Sequence, residues 1–546
     1  MHTKAGNLGR MALRFTRIAI RRDRPFRTTM KLFTPPYLPY VCQSLRVLSS
    51  SNGNYSRKNI LSLRDERKGF IQDVFPLGSA SDIAEWLKSG SRTIYAGFDP
   101  TANSLHIGNL LVIMAMLHAQ RAGHRVLALV GGATAKIGDP SGKTSERPLL
   151  EDEIIAKNVL GITENLERIF NNYSEIVNGE SQQQPIVSSD MFPVQILNND
   201  TWYREISLID FLRTAGRKFR MGKLLSRDSV KTRLATGDTK DGGKPDPDGG
   251  LSFTEFSYQL FQAYDWFYLR SHHDCSIQLG GSDQMGNIAT GHDFITRHDK
   301  FKEKNDTKDS KTSGHSPDLK RKGNDLPAYG ILLPLVTSES GEKFGKSESG
   351  QSRVWLSADK TTAFDFYQFF FRLPDSQIEK MLYFYTLLPP TEIKDLMSLH
   401  SRESEKRHPQ KKLAEFLTRL VHGTKGLSLA VKTTDILFTK GYSDEDMHQK
   451  LSSLSQDEMA TIFSQANHQR LLFTQGISVI DLALKLGCFK KEKDAVRIIT
   501  AGGFYINQTR KTNIDELIML GIHVLSNHLT LVRVGKKDYY VVEWTL

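Results

Sequence analysis

The sequence predicts a Rossmann-like, doubly wound α/β domain, followed by an α-helical domain and a small α+β module. Three observations lead there. Short apolar runs closed by glycine pairs (Gly131-Gly132, Gly280-Gly281) alternate with helical patterns in the first part of the chain. Beyond Ser357 the pattern becomes helical throughout, and strand-like runs return only near the end.

Taken in order, the leader comes first. Between Met1 and Ile60 twelve Lys and Arg residues face one acid, Asp23, so this stretch holds +11 of the formal +12. Whole-chain charge therefore gives no argument for RNA binding, and local patches must carry it. Basic and apolar residues mix in Met11 to Arg22, and Ser49-Ser50-Ser51 follows, a composition that fits a mitochondrial transit peptide. A basic tail touching RNA is the alternative. Residues 1–57 are assigned to this leader.

Residues 58–356 form the α/β domain. Lys58 to Phe75 has a mixed helical pattern that ends at Pro76. Thr93 to Phe98 reads as a strand, Gly108 to Arg121 as an apolar helix and Arg125 to Val130 as a second buried strand, which together make a βαβ unit. Further strands are expected at Pro185 to Ser188, at Ser276 to Leu279 and at Ile331 to Val336. Residues 237–250 and 300–325, rich in Gly, Asp, Lys, Ser and Pro, are expected to be surface insertions. Residues 357–470 read as a helical domain. Residues 471–546 read as two short helices and strands at Leu529 to Val534 and Tyr539 to Trp544.

No run of eighteen apolar residues is present, so nothing reads as a membrane-crossing helix. Cys42, Cys275 and Cys488 are too scattered for a disulfide framework, and no His/Cys grouping completes a metal cage.

Two short motifs carry phosphate chemistry. His106-Ile107-Gly108-Asn109 sits where a strand hands over to a helix, whose first N–H groups and dipole favour an anion. His106 and Asn109 are one turn apart, so both can donate to one phosphate; alone, such a His is more often a cap. Lys343-Phe344-Gly345-Lys346-Ser347 follows a strand and can clamp a triphosphate, although short runs of this kind are commonly solvated turns. Gly138 to Thr144 is not a P-loop, since three residues rather than four separate its glycines. On the helix Tyr258 to Asp265, the residues Tyr258, Gln262 and Asp265 share one face among Phe256, Phe261 and Trp266.

His106 to Asn109 resembles the HIGH signature of class I aminoacyl-tRNA synthetases, and Lys343 to Ser347 resembles their KMSKS loop. Tyr95 to Thr101, Gly131 to Thr134, Gly138 to Gly142, Phe261 to Asp265 and Gly280 to Gln284 are similar to the tyrosine-specific branch found in bacteria and mitochondria. The resemblance implies activation of L-tyrosine with ATP, Mg²⁺ accompanying the nucleotide, and transfer to tRNA(Tyr) in the mitochondrial matrix. It implies that Tyr95 and Asp265 hold the phenolic OH, that Asp139, Tyr258 and Gln262 bind the ammonium group, and that Gln284 lies near the carboxylate. ATP would be met by Gly97, Asp99, His106, Gly108, Asp283 and Lys346. Catalytic contacts would come from Thr101, His106, Asn109, Lys343, Lys346 and Ser347. The last module resembles an S4 RNA-binding domain. A homodimer is implied, and group I intron RNA is a second RNA partner known among fungal mitochondrial relatives that carry extensions and insertions. Tryptophan activation is the rival that shares the fold.

Overall fold

The computed structural model describes residues 60–141, 150–180, 192–236, 250–309, 326–337, 353–438, 444–455, 458–459, 467–489, 491–535 and 538–546. The leader lies outside these residues, as do most of both expected insertions and the Lys343–Ser347 motif.

The first sheet comprises β1 (Asp73–Phe75), β2 (Thr93–Phe98), β3 (Arg125–Val130), β4 (Gln195–Asn198), β5 (Cys275–Gly281) and β6 (Tyr329–Leu333). Its order is β1-β6-β5-β2-β3-β4, with every pair parallel except β1 against β6. Strands β2, β3 and β5 are almost wholly buried on both faces, as parallel strands between helical layers are, with Ser276 and Gln278 of β5 as buried polar exceptions. The chain leaves β2 toward β3 and β4 on one side and reaches β5 and β6 on the other. The crevice beyond the carboxyl ends of β2 and β5 is therefore the topological switch point where such sheets bind ligands.

Helices α1 (Ala80–Lys88), α2 (Ile107–Arg121), α3 (Asp152–Glu180), α4 (Phe253–His273) and α5 (Met285–Asp309) belong to this domain. Helix α2 is apolar around most of its circumference and buries Leu110, Leu111, Ile113, Met114 and Leu117. Tyr95, Trp266, Leu269, Ile288 and Phe294 form the core between β2, α4 and α5.

The helical domain follows as α6 (Ala363–Phe371), α7 (Asp375–Tyr385), α8 (Pro390–Arg402), α9 (His408–Phe438) and α10 (Asp444–Ser452). Helix α9 breaks at Gly423, whose φ of 75° and ψ of 179° suit only glycine. Buried Arg67 ties the first turn of the domain to the end of α7, donating to the carbonyls of Tyr383, Thr386 and Leu388, each at 2.8 Å. The last module packs α11 (Val479–Lys485) and α12 (Glu492–Thr500) on a sheet of β7 (Asn467–Leu472), β8 (Phe504–Ile506), β9 (Thr509–Lys511), β10 (Leu529–Val534) and β11 (Asp538–Thr545), in the order β7-β11-β10-β8-β9. Leu482, Ile499, Phe504, Val532, Val542 and Trp544 are its core.

Three local expectations are corrected, and one falls outside the described residues. The helix expected over Lys58 to Phe75 ends at Glu66, because Lys68 and Gly69 take positive φ (48° and 89°), and Asp73–Phe75 instead forms the antiparallel edge strand. The strand expected at Pro185 to Ser188 lies outside the described residues, and β4 at Gln195–Asn198 is the strand beside β3. Strand β6 stops at Leu333, before Pro334, which has no N–H for a ladder. Helix α5 continues to Asp309, through the first ten residues of the 300–325 stretch, because Lys300 to Asp309 is rich in the helix former Lys and contains neither Gly nor Pro.

Candidate active site

On the phosphate side, His106 is the N-cap of α2 with extended backbone. Its Nδ1 accepts from the Gly108 N–H at 3.0 Å, while Asn109 Oδ1 accepts from the His106 N–H at 3.1 Å. This reciprocal box corrects the simple picture of two free donors. Because Nδ1 is an acceptor, the ring donates only through Nε2, and Asn109 donates only through its NH₂ end. A Cβ at position 108 would lie 2.8 Å from the His106 ring, so the cap needs glycine there. Gly97 differs: a Cβ would meet no atom within 4 Å, so its face opens onto the crevice. Thr101 is exposed in the loop after β2, its N–H bonded to the Asp99 carbonyl at 2.8 Å.

Lys343, Lys346 and Ser347 lie outside the described residues, but both flanks of their loop reach this crevice. On the leading side, Leu335 lies beside Gly281 at the end of β5. On the trailing side, Ile107 N–H donates to the Val354 carbonyl at 3.1 Å and Leu356 N–H to the Leu105 carbonyl at 2.8 Å, so the returning chain runs antiparallel to the His106 motif.

At the other end, Tyr95 and Asp265 are both buried, at 1% and 3% exposure. The Tyr95 hydroxyl has no hydrogen-bond partner among the described residues. Asp265 accepts from Asn199 Nδ2 and Trp202 Nε1, each at 3.0 Å. Burial pushes the Asp265 carboxyl from 3.8 up to about 7, against the lowering effect of its hydrogen bonds. Burial first, and the nearby Asp265 second, raise the Tyr95 phenol well above its ordinary range, so it is neutral at physiological pH.

One hydrogen-bonded chain runs from Asp265 to Asp99 and Tyr258. Asn199 Nδ2 also reaches Thr134 Oγ1 at 3.2 Å, Thr134 donates to Asp99 Oδ1 at 2.8 Å, and Tyr258 donates to Asp99 Oδ2 at 2.8 Å. Gly131 is required beside it, since a Cβ there would be 2.2 Å from Asp99 Oδ1. Beside this chain, Gln284 Nε2 donates to Asp139 Oδ2 at 2.8 Å, and Gln262 Nε2 donates to Gln284 Oε1 at 3.2 Å. Asn287 Nδ2 reaches the same Gln284 oxygen at 3.0 Å. Asp283 follows β5 in the turn Ser282–Gln284.

The structure thus gathers Tyr95 with Asp265, Asp99 with Tyr258, Asp139 with Gln262 and Gln284, and His106 with Asn109. Within these groups Tyr258 is bonded to Asp99, with Asp139 close enough to act on its phenol, and Gln284 is bonded to Asp139. Trp202, Thr134 and Asn287 were not singled out from sequence, and for Asn199 the sequence supplies no role. Their one legible signal is that Asn199 and Trp202 lie in a polar stretch immediately after the short strand β4. Among the described residues no group of three or more His, Cys, Asp or Glu could hold a metal ion.

Several basic side chains beyond Ser357 are committed within the protein. Arg407 donates to the carbonyls of Phe371 and Leu373, Arg510 to those of Gly502 and Ala501, and Lys511 pairs with Glu516. They serve the fold, which the sequence could not distinguish from a solvated charge.

The titration of Asp265 gives a test. A carboxyl whose folded pKa is raised stabilises the fold while protonated, fully below its unfolded value near 4 and progressively less as pH rises through about 7. Relative to Asp265→Asn, the wild type is therefore expected to lose roughly 2–3 kcal/mol between pH 5 and pH 8. Denaturant unfolding of both proteins at the two pH values measures it; a difference independent of pH would place the carboxyl's pKa in the ordinary range.

Comparison with known proteins shows the family. The family of class I tRNA synthetases (W and Y) matches residues 88–439. The mitochondrial tyrosine–tRNA ligase of Drosophila melanogaster is 44% identical over 91% of this chain and 97% of its own length. The human mitochondrial tyrosine–tRNA ligase is 39% identical over 87% of this chain and 90% of its own. A C-terminally truncated Aspergillus nidulans mitochondrial tyrosyl-tRNA synthetase superimposes with a TM-score of 0.57 at 29% identity, covering 72% of this chain and 98% of that one.

Proposed function

The chain belongs to the class I tRNA synthetases of the tryptophan and tyrosine group, within it to the tyrosine–tRNA ligases, and on that premise we propose that it activates L-tyrosine with ATP and esterifies it to tRNA(Tyr) in the mitochondrial matrix. One observation carries the choice of amino acid: a buried Tyr95 hydroxyl and a buried Asp265 carboxylate at one end of the crevice. A phenolic OH both donates and accepts, and so satisfies both groups. The indole N–H of tryptophan only donates, and phenylalanine does neither. The mitochondrial relatives at 37–44% identity and the Arg-rich leader support the compartment.

Adenylate formation needs no side-chain nucleophile. A carboxylate oxygen of tyrosine attacks the α-phosphorus of ATP in line, the bond to the β-phosphate oxygen breaks, and pyrophosphate leaves with that electron pair. The protein's part is positioning and charge stabilisation. Asp139 with Gln262 and Tyr258 faces the ammonium group, and Gln284 acts through its bond to Asp139. His106 and Thr101 meet the γ-phosphate, Asn109 holds the cap of His106, and Lys343, Lys346 and Ser347 meet the departing pyrophosphate. Asp99 and Asp283, with Gly97 and Gly108, take the nucleoside end. Mg²⁺ arrives bound to ATP and neutralises its phosphates. In the second step a terminal ribose hydroxyl of the tRNA attacks the acyl carbon and AMP leaves.

The domain boundaries at 357 and 471 follow the same reading, with the helical domain on the anticodon side and the last module as an S4-like RNA-binding domain. A homodimer is supported by Leu208, Ile209, Met221 and Phe253, each more than half exposed in one segment of the α/β domain. Among the described residues no helix is long and apolar enough to cross a membrane. The leader and insertions that suggested group I intron RNA lie mostly outside the described residues, so the proposal is confined to aminoacylation. Charging of a tRNA(Tyr) transcript with labelled tyrosine tests it. Acid-stable tyrosyl-tRNA is expected; its absence in the presence of ATP and Mg²⁺ would overturn the reading.

A further inference from the structure

Five residues of α3 form a stripe along one face: Asn158, Gly161, Asn165, Arg168 and Asn172, spaced alternately three and four apart. Each of them meets a neighbouring backbone. Asn158 Nδ2 donates to the Pro100 carbonyl at 3.0 Å, and a Cβ at Gly161 would stand 2.1 Å from the Asn103 carbonyl. Asn165 Oδ1 accepts from the Leu105 N–H at 3.1 Å and from Ser104 Oγ at 3.0 Å. Arg168 Nη2 donates to the Leu356 carbonyl at 2.8 Å and its Nε to the Val421 carbonyl at 2.9 Å. Asn172 Nδ2 donates to the Leu420 carbonyl at 2.9 Å.

The two α9 carbonyls have a reason to need outside donors. Leu420 and Val421 directly precede the break at Gly423, where the regular i to i+4 bonding is interrupted. Arg168 thus spans a carbonyl at that break and the carbonyl of Leu356, whose own N–H is bonded to Leu105 in the strand-like pairing with the His106 motif. A rigid planar fork suits this task better than an ammonium, since it fixes two acceptors at a set angle.

We propose that Arg168 is a positioning residue for the ATP half-reaction: it pins the Val354–Leu356 segment against the His106 motif and anchors both to the helical domain at the Gly423 break. This rests on the proposed function for the identity of the reaction. Arg168 itself touches no reacting atom in this account. It sets where His106, capping α2, meets the phosphates, and the Tyr95–Asp265 end is independent of it.

The test compares Arg168→Gln, Arg168→Lys and Asn172→Ala in tyrosine-dependent exchange of pyrophosphate into ATP, with thermal unfolding of each. Arg168→Gln is expected to lower kcat/KM for ATP about tenfold with KM for tyrosine changed by less than about twofold. Lysine, reaching one carbonyl, recovers part of that loss. Asn172→Ala, which touches only the helical-domain side, keeps kcat/KM for ATP within about twofold of wild type at a lowered melting temperature. The proposal is overturned if Arg168→Gln melts lower while ATP and tyrosine parameters move together or not at all, or if Asn172→Ala matches it in ATP parameters. A wild-type chain that shows no tyrosine-dependent exchange would instead sink the functional reading.

Discussion

Replacing Asp265 with alanine is expected to lower kcat/KM for tyrosine in adenylate formation by about 10²–10³-fold, and that for phenylalanine much less. The substitution removes the acceptor for the substrate hydroxyl and leaves the Asn199 amide and the Trp202 indole N–H buried without the carboxylate they now bond. Those two donors are stranded equally in the free enzyme and with either amino acid. The kinetic loss therefore belongs to the tyrosine hydroxyl, which is buried without its acceptor at about 1–3 kcal/mol and forfeits a charge-assisted bond besides. The ratio of tyrosine to phenylalanine is the diagnostic quantity. A reader of the phenol must lose discrimination when it is removed, whereas a group that merely braces the pocket would depress both substrates equally. Steady-state exchange kinetics with the two amino acids separates these cases, and an unchanged ratio would take Asp265 out of substrate recognition.

Lys346→Ala is expected to slow adenylate formation by about 10²–10³-fold in single-turnover measurements, while tyrosine affinity stays within about twofold. The reason lies in when the charge appears. Negative charge moves onto the departing pyrophosphate only as the bond breaks, so a lysine aimed there stabilises the transition state more than the bound amino acid. The described residues on either side of it in the chain reach the crevice, Leu335 beside Gly281 and Val354 and Leu356 paired with the His106 motif. Rapid quenching with labelled ATP reads the rate, and equilibrium dialysis reads the affinity. A rate equal to the wild type's would remove this lysine from the mechanism.

How far the sequence revealed this molecule depended on how local each signal was. The strands Thr93–Phe98 and Arg125–Val130 and the helix between them are legible because burial on both faces demands unbroken apolar runs, and glycines mark their ends. The β1 strand was not legible. Three residues at a sheet edge carry too short a pattern, and their pairing with β6 depends on a partner more than 250 residues away. In the site, His106, Asn109, Tyr95 and Asp265 could be named because motif resemblance reaches them. The hydrogen bonds that decide their chemistry could not. Nothing in the spacing of Asn199, Thr134 and Asp99 announces that they would form one chain, nor that the Asn109 oxygen would be taken by the His106 N–H while its NH₂ stays able to donate. The α3 stripe is the opposite case. The three-and-four spacing of Asn158, Gly161, Asn165, Arg168 and Asn172 was present in the sequence, but polar residues at helical spacing ordinarily mean a wet face, and only the carbonyls they meet reveal otherwise.

The central claim is that the crevice reads a phenol beside a nucleotide, and tyrosine-dependent exchange of pyrophosphate into ATP tests it most directly. With the purified chain, ATP and Mg²⁺, tyrosine should support exchange at least about 100-fold better than phenylalanine or tryptophan at equal concentration. Exchange driven as well by tryptophan as by tyrosine, or by none of the three, would contradict the account.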